Sequence, residues 1–332
     1  MGVVGAGKIV EDAHLPVLNT LPGVEVAWIS DREPDRCRLI RKMYGNEVIS
    51  SDRVLEELEG VDACLLAIPL GARRPYLDRC RELGRAVYVE KPFARTLDDH
   101  NNTMSGFPVN QIAIGFQRRS YRNVQLLRQL ISTRIFGPLR AIRHSEATFS
   151  LSSGGAHSFR GFAHSAGGGI AIESAIHHLD IILYVTSANA VQTQHVASIA
   201  RDGIDYHSVL RTRIITSDQQ VIPVETLLSR LESHPRGIEF EFDHLVVHFH
   251  GKPDQPLLMK SRTGPMMPLM FDSHMDLGVG SVRTIQRAFI AFWESFFMGL
   301  HSTVPNVTSA STSVLTTQWI EQVYDRMEAS HA

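Results

Sequence analysis

Short runs of apolar, β-branched residues alternate along the first third of the chain with stretches of helical spacing. The strand candidates are Gly2 to Val4, Glu25 to Ser30, Ala63 to Ile68, Ala86 to Val89 and Gln111 to Gly115. Between them, Pro34 to Tyr44 and Arg74 to Leu83 set apolar side chains at helical intervals, and Gly45 and Gly84 stand where helices stop. Repeated βα units imply a parallel sheet, whose right-handed crossovers carry helices to both faces. Ligands of such a doubly wound α/β sheet sit at the carboxyl ends of the strands, near the point where strand order reverses.

Further along, the period changes. Leu139 to Phe149, Val209 to Ile215 and Gly237 to Phe249 alternate in twos, which predicts long strands in an open, mostly antiparallel sheet. Val282 to Gly299, with Phe289, Phe292, Trp293, Phe296 and Phe297, reads as a buried helix, and Val314 to Met327 as another. The change of period divides the 332 residues into a βα-repeat domain over 1–118 and an α+β domain over 119–332.

Composition narrows the partners. Hydrophobic residues make up 43% of the chain and charged ones 20%, so a packed core is expected. Lys plus Arg number 33 against 35 for Asp plus Glu, which leaves no cationic field to gather nucleic acid or anionic lipid. No apolar run approaches the roughly 20 residues that cross a bilayer, and the N-terminus has no leader pattern. The first strand follows Met1 at once and is expected to lack a residue or two at its outer end. Cys37, Cys64 and Cys80 are odd in number and read as buried thiols of a reducing compartment, so the expected location is cytoplasmic.

The first strand-end loop is Gly5-Ala6-Gly7-Lys8-Ile9-Val10. Gly5 permits a tight turn, and Gly7 lets backbone approach a pyrophosphate at the helix start, where unpaired N–H groups and the helix dipole favour an anion. Val10 replaces the third glycine of this dinucleotide fingerprint, which predicts slightly wider helix packing. Asp31 closes the next strand, where a carboxylate accepts from both ribose hydroxyls and favours NAD. Arg32 beside it is suited to a 2′-phosphate, which keeps NADP as the alternative.

After the strand Ala86 to Val89 comes Glu90-Lys91-Pro92, and Ile68-Pro69 ends another. Here the chain resembles the glucose-fructose oxidoreductase and inositol dehydrogenase family, Gfo/Idh/MocA. The resemblance implies a Rossmann domain whose Ile68, Pro69, Glu90, Lys91 and Pro92 line the cofactor, with Lys91 reaching the nicotinamide and the reacting oxygen. Gly115-Phe116-Gln117-Arg118-Arg119 resembles the family's passage into the second domain, with Gln117 where Asn is usual. Gly167-Gly168-Gly169, followed by Glu173, His177 and Asp180, resembles its glycine triplet, acid, histidine and aspartate, with Glu173 replacing the usual Asp. At i, i+4 and i+7 the three polar residues share one helix face, beside an apolar stripe of Ile172, Ile176 and Leu179, while His178 points elsewhere.

The resemblance implies hydride exchange between NAD(P) and a secondary alcohol or ketone of a sugar, sugar derivative or cyclitol. His177 would be the general acid/base and Lys91 a donor to the substrate oxygen. Glu173 would bind a substrate hydroxyl or tune Lys91, and Asp180 would orient the imidazole or hold its own domain together. Before the triplet, Ser152, Ser153, His157, Ser158, Arg160 and His164 are placed to grip hydroxyls, Arg160 foremost, in a glycine- and serine-rich cover or a solvated loop. His248 and His250 share a strand face without a ligand partner at suitable spacing, so no metal is expected. Family members often pair subunits through the open sheet, which implies a homo-oligomer, dimer or tetramer. Two rivals remain: an NAD-dependent glycoside-cleaving enzyme of the same fold, and a non-catalytic dinucleotide- or sugar-binding protein.

Overall fold

A computed structural model describes residues 1–149, 168–261, 263–269 and 284–331. Ser152, Ser153, His157, Ser158, Arg160, His164 and Gly167 lie outside the described residues. The chain divides into two compact units, one of Met1–Ala94, Asp98–Gln117 and Val282–Val314, the other of Arg95–Leu97, Arg118–Ser281 and Leu315–Ala332.

The first unit carries five parallel strands: β1 (Gly2–Val4), β2 (Trp28–Ser30), β3 (Ala63–Leu66), β4 (Ala86–Val89) and β5 (Ile112–Ile114). Their order, β2-β1-β3-β4-β5, reverses direction at β1, so the switch point falls between β1 and β3. The second strand begins at Trp28 instead of Glu25, because β1 offers only three residues to pair with it. Helix α1 opens as a π turn, Val10–His14, and continues as Leu15–Leu18. The wide turn seats Val10, fully buried, where the fingerprint has glycine. Helix α2 (Pro34–Tyr44) starts on proline and stops at Gly45, burying Cys37 and Ile40. Helix α4 (Arg74–Glu82), after the single-turn α3 (Val54–Glu57), buries Leu77 and Cys80, and α5 (Leu97–Met104) and α6 (Arg122–Ser132) follow along the chain.

The division at residue 118 needs correction at the far end of the chain. Helix α8 (Thr284–Gly299) belongs to the first unit: Phe289, Phe292, Trp293 and Phe296 join Val3, Ile29, Leu65, Tyr88 and Ala113 in one core. Tyr88 stacks on Trp293 with ring centroids 4.3 Å apart. The reason is physical, since a doubly wound sheet needs both faces covered and the aromatic helix covers part of one.

The second unit holds an eight-stranded sheet, ordered β13-β12-β11-β10-β6-β9-β8-β7. Its strands are β6 (Leu139–Ala147), β7 (Ala188–Arg201), β8 (Ile204–Thr216), β9 (Val221–Ser229), β10 (Gly237–Phe242), β11 (Leu245–Phe249), β12 (Leu257–Ser261) and β13 (Met266–Leu269). All neighbours are antiparallel except β6 and β9, so the sheet is mostly antiparallel as the alternation predicts. The run Gly237 to Phe249 is a hairpin and not one strand, because Asp243 and His244 form the turn while alternation continues through it. Asp202-Gly203 makes the β7–β8 turn with both residues at positive φ, 52° and 75°, which joins two strands longer than the apolar runs alone suggest. Helix α7 (Ile176–Thr186), preceded by a π turn over Ala171–Ala175, is buried along most of its length.

Candidate active site

In the first unit the glycine turn is held from three directions. Gly5 has φ +102°, and a Cβ there would overlap the backbone of Ala67, so only glycine fits. Asp31 Oδ2 accepts from Ala6 N–H at 2.6 Å, and its Oδ1 accepts from Glu33 N–H at 2.9 Å. Arg36 donates through Nε to Ala6 O at 2.8 Å and through Nη2 to Glu11 at 2.7 Å. Asp31 thus clamps the turn directly, a bond that the sequence pattern alone does not announce.

Above Gly7 a Cβ would meet nothing within 4 Å. The first intrahelical donors are Val10 and Glu11, both to Gly7 O, so Lys8 and Ile9 lie in the turn whose N–H groups a helix leaves unpaired. Open space over a glycine at a helix start fits a pyrophosphate. The Lys8 side chain is 73% exposed and pairs with Asp12 at 2.9 Å. Arg32 is exposed next to Asp31.

The remaining strand ends of this unit are tied together. Arg73, 3% exposed, donates through Nε to Ile68 O at 2.9 Å and through Nη1 to Pro92 O, joining the Ile68-Pro69 loop to the Lys91-Pro92 loop. Burial lowers Arg73 from its ordinary value to about 10, against the pull of Glu90. Lys91 is half-buried directly after Glu90. Glu90 is itself buried and accepts from His14 Nε2 at 3.0 Å. Gln117, the last residue of this segment, is 6% exposed. Sequence reading passed over His14, Arg36 and Arg73, whose roles depend on contacts made far along the chain.

In the second unit Gly168 and Gly169 are legible in packing terms. Gly168 has φ +148° and a Cβ on it would overlap the Tyr324 hydroxyl; one on Gly169 would overlap Asp205. Asp205, fully buried, accepts from Gly169 N–H at 2.9 Å, Ala171 N–H at 3.0 Å and Tyr324 Oη–H at 2.7 Å. A carboxylate from the β7–β8 hairpin therefore caps the helix that carries Glu173 and His177. Nothing in the local sequence marks Asp205 for this.

The three polar residues of that helix do not act as one row. Glu173 pairs with Arg230, whose side chain is 13% exposed. His177 is 7% exposed, in the first turn of α7. Asp180 has its own partners: Arg119 donates to it through Nε at 2.8 Å and Nη2 at 2.5 Å, and Thr316 Oγ1 at 2.9 Å. Its oxygens serve a buried fork-to-carboxylate pair.

His178 does point away from that row, into a cluster with His144 and Glu146 whose ligand atoms lie within 4.8 Å of one another. Arg118 Nη1 stands 3.3 Å from His178 Nε2, which makes that nitrogen the acceptor and leaves the proton on Nδ1, 3.0 Å from His144 Nε2. Arg236 pairs with Glu146. Glu146 Oε2 also lies 2.9 Å from His178 Nδ1, and two guanidinium groups flank a packed His-Glu-His cluster. Burial, then His178, lowers His144 to about 3. Burial raises Glu146, but His178 and Arg236 outweigh it and hold the carboxyl at about 2. His248 Nε2 lies 3.1 Å from His250 Nδ1, and Glu239 lies 3.9 Å from His248.

Residues 1–105 match the model of the oxidoreductase family with an NAD-binding Rossmann fold, GFO/IDH/MocA. The chain is 32% identical over 92 residues to dTDP-3,4-didehydro-2,6-dideoxy-alpha-D-glucose 3-reductase of Actinomadura kijaniata, 28% of each protein. It is 27% identical over 148 residues to inositol 2-dehydrogenase/D-chiro-inositol 3-dehydrogenase of Shouchella clausii (strain KSM-K16), 43% of each. The chain thus matches less than half the length of either curated relative. Among solved structures, the aldose-aldose oxidoreductase from Caulobacter crescentus shares the fold with a TM-score of 0.80 at 14% identity, over 99% of this chain and 97% of that one. The family match thus falls on the N-terminal domain, the part that carries the clamped glycine turn and the Glu90-Lys91-Pro92 strand end.

Proposed function

We propose that this protein is an NAD(P)-dependent oxidoreductase that interconverts a secondary alcohol and a ketone on a sugar, sugar derivative or cyclitol. The observation that carries the reading is the glycine turn, open above Gly7 and fixed by Asp31 at the end of β2. The names of the two curated relatives, a sugar ketoreductase and an inositol dehydrogenase, supply the substrate class. When bound, the nicotinamide cofactor supplies or accepts the hydride.

The backbone of Gly7, Lys8 and Ile9 holds the pyrophosphate. Asp31 keeps acceptor capacity for ribose hydroxyls beyond the two N–H groups it already binds, since an ionised carboxylate has about four lone-pair sites. A phosphate dianion beside that carboxylate is repelled, so NAD is the preferred cofactor, with Arg32 the residue through which NADP would be accommodated. Ile68, Pro69 and Pro92 frame the strand ends around Lys91, and Gln117 stands at the close of the same unit.

His177 moves the proton at the substrate oxygen, because imidazole works in both directions near neutrality. Lys91 donates a hydrogen bond to that oxygen as alkoxide charge develops. Glu173, paired with Arg230, offers hydroxyls an acceptor and a donor together, a combination suited to a polyol. Arg160 is retained as a hydroxyl-binding candidate. A cytoplasmic homo-oligomer, dimer or tetramer, completes the reading; among the described residues no helix is long and apolar enough to cross a membrane.

Lys91→Ala and His177→Ala are each expected to cut turnover by about two powers of ten or more while NADH still binds. Wild-type rates in both variants overturn the assignment. Net NADH formation from free sugars or cyclitols separates this reading from transient oxidation during glycoside cleavage, and any turnover separates it from a binding protein.

A further inference from the structure

His14 is fully buried at the end of the π turn of α1, among Tyr88, Phe289 and Trp293, whose ring centroids lie 5.4, 4.9 and 5.7 Å from its own. A histidine in an aromatic core needs an explanation, because its two nitrogens must both find partners there. They do. Trp293 Nε1–H donates to His14 Nδ1 at 3.1 Å, and an indole nitrogen can only donate. Nδ1 therefore carries the lone pair and Nε2 the proton, which is given to Glu90 Oε1 at 3.0 Å. The tautomer follows from donor chemistry alone.

Glu90 is confined on its other sides. Its N–H donates to Leu66 O at 2.9 Å, and a Cβ on Gly115 would come within 2.7 Å of Oε1. Glu90 immediately precedes Lys91, so the carboxylate's anchorage fixes the backbone from which Lys91 departs. The same imidazole ends the turn that starts at the glycine loop. One side chain thus mechanically joins the two strand ends of β1 and β4.

We propose that His14 is a positioning residue: with Trp293 fixing its tautomer, it holds Glu90 and thereby sets where Lys91 is presented relative to the glycine turn. The inference rests on the oxidoreductase reading for its kinetic consequence but not for its geometric one.

The test uses His14→Phe, which keeps an aromatic ring and removes the donor, and His14→Gln, which returns an amide donor. His14→Phe is expected to lower kcat roughly ten- to a hundredfold while KM for NADH stays within about threefold, and His14→Gln to recover most of the loss. On a Glu90→Ala background His14→Phe should cost nothing further, because its effect passes through Glu90. Independently of turnover, the rate at which Lys91 reacts with an amine reagent, read on its own peptide by mass spectrometry, should change in His14→Phe and return in His14→Gln. Unchanged kcat and unchanged Lys91 reactivity in His14→Phe overturn the inference, as does an equal loss when the Glu90 carboxylate is already absent. If the wild type turns over no sugar or cyclitol with NADH or NADPH, the oxidoreductase reading fails while Lys91 reactivity still decides the role of His14.

Discussion

Removing the Asp180 carboxylate separates a structural role from a catalytic one. The side chains of Arg119 and Asp180 are 3% and 2% exposed, and the guanidinium also lies over the Tyr184 ring at 5.3 Å. Asp180→Ala takes the carboxylate away from a buried guanidinium and also deprives Thr316 of its acceptor. Stranding one partner of such a pair costs about 3–5 kcal/mol, much of it the desolvation of the charge left behind. For a unit of this size each kcal/mol lowers the melting temperature by roughly 2–4 °C, so a drop on the order of 6–20 °C is expected. Asp180→Asn keeps an acceptor for one donor and should fall between wild type and Ala. The double variant Arg119→Met with Asp180→Leu removes both charges and should recover much of the loss, since apolar replacement of a buried pair is often neutral. Urea unfolding followed by tryptophan fluorescence measures these differences, and NADH turnover of the folded fraction accompanies it. Stability of Asp180→Ala within about 1 kcal/mol of wild type, together with lost turnover, would refute the structural assignment and return Asp180 to His177.

Three further outcomes are expected. Gly5→Ala puts a Cβ against Ala67 at a φ of +102°; it should cost about 1–3 kcal/mol and abolish NADH fluorescence enhancement, and normal binding would disprove the role given to the turn. His100, buried and bonded to Ala310 O at 3.2 Å, is lowered by burial to about 4, so its contribution is complete above an unfolded value near 6.5 and drains as pH falls toward 4. At pH near 4.5 that deficit is about 2–3 kcal/mol and should shrink in His100→Gln, whereas stability that is flat from neutrality to this pH would contradict it. Asp205→Asn leaves one oxygen for three donors and should cost about 1.5–3 kcal/mol, with faster amide exchange at Gly169 and Ala171 as the local signature.

The sequence made the nucleotide-binding half legible because its signals are local. A turn glycine, a strand of four apolar residues and a helix stop at Gly45 each report on their own neighbours. The Glu-Lys-Pro strand end and the glycine triplet were likewise readable as motifs, and the structure gives Gly168 and Gly169 their physical reason in the close approach of Tyr324 and Asp205. What stayed hidden is non-local. Arg119 and Asp180 are 61 residues apart, His14 and Trp293 are 279, and neither pairing leaves a trace in periodicity. The Asp243-His244 turn was missed for a different cause, since the two-residue alternation carried through it without a Gly or Pro to interrupt it. The Asp202-Gly203 pair did carry a hairpin signal, and it marks the β7–β8 turn.

The aromatic helix α8 has a consequence for synthesis. Strands β1 to β5 leave the ribosome early, yet Phe289, Phe292 and Trp293, which cover Tyr88 and His14, are translated only after the whole eight-stranded sheet. Until then the nascent nucleotide-binding half presents an oily surface to water or to a chaperone, the condition under which growing chains aggregate. A gene fragment ending at residue 117 should accordingly be insoluble, and a chimera that exchanges this half with a homologue must exchange the distal helix with it.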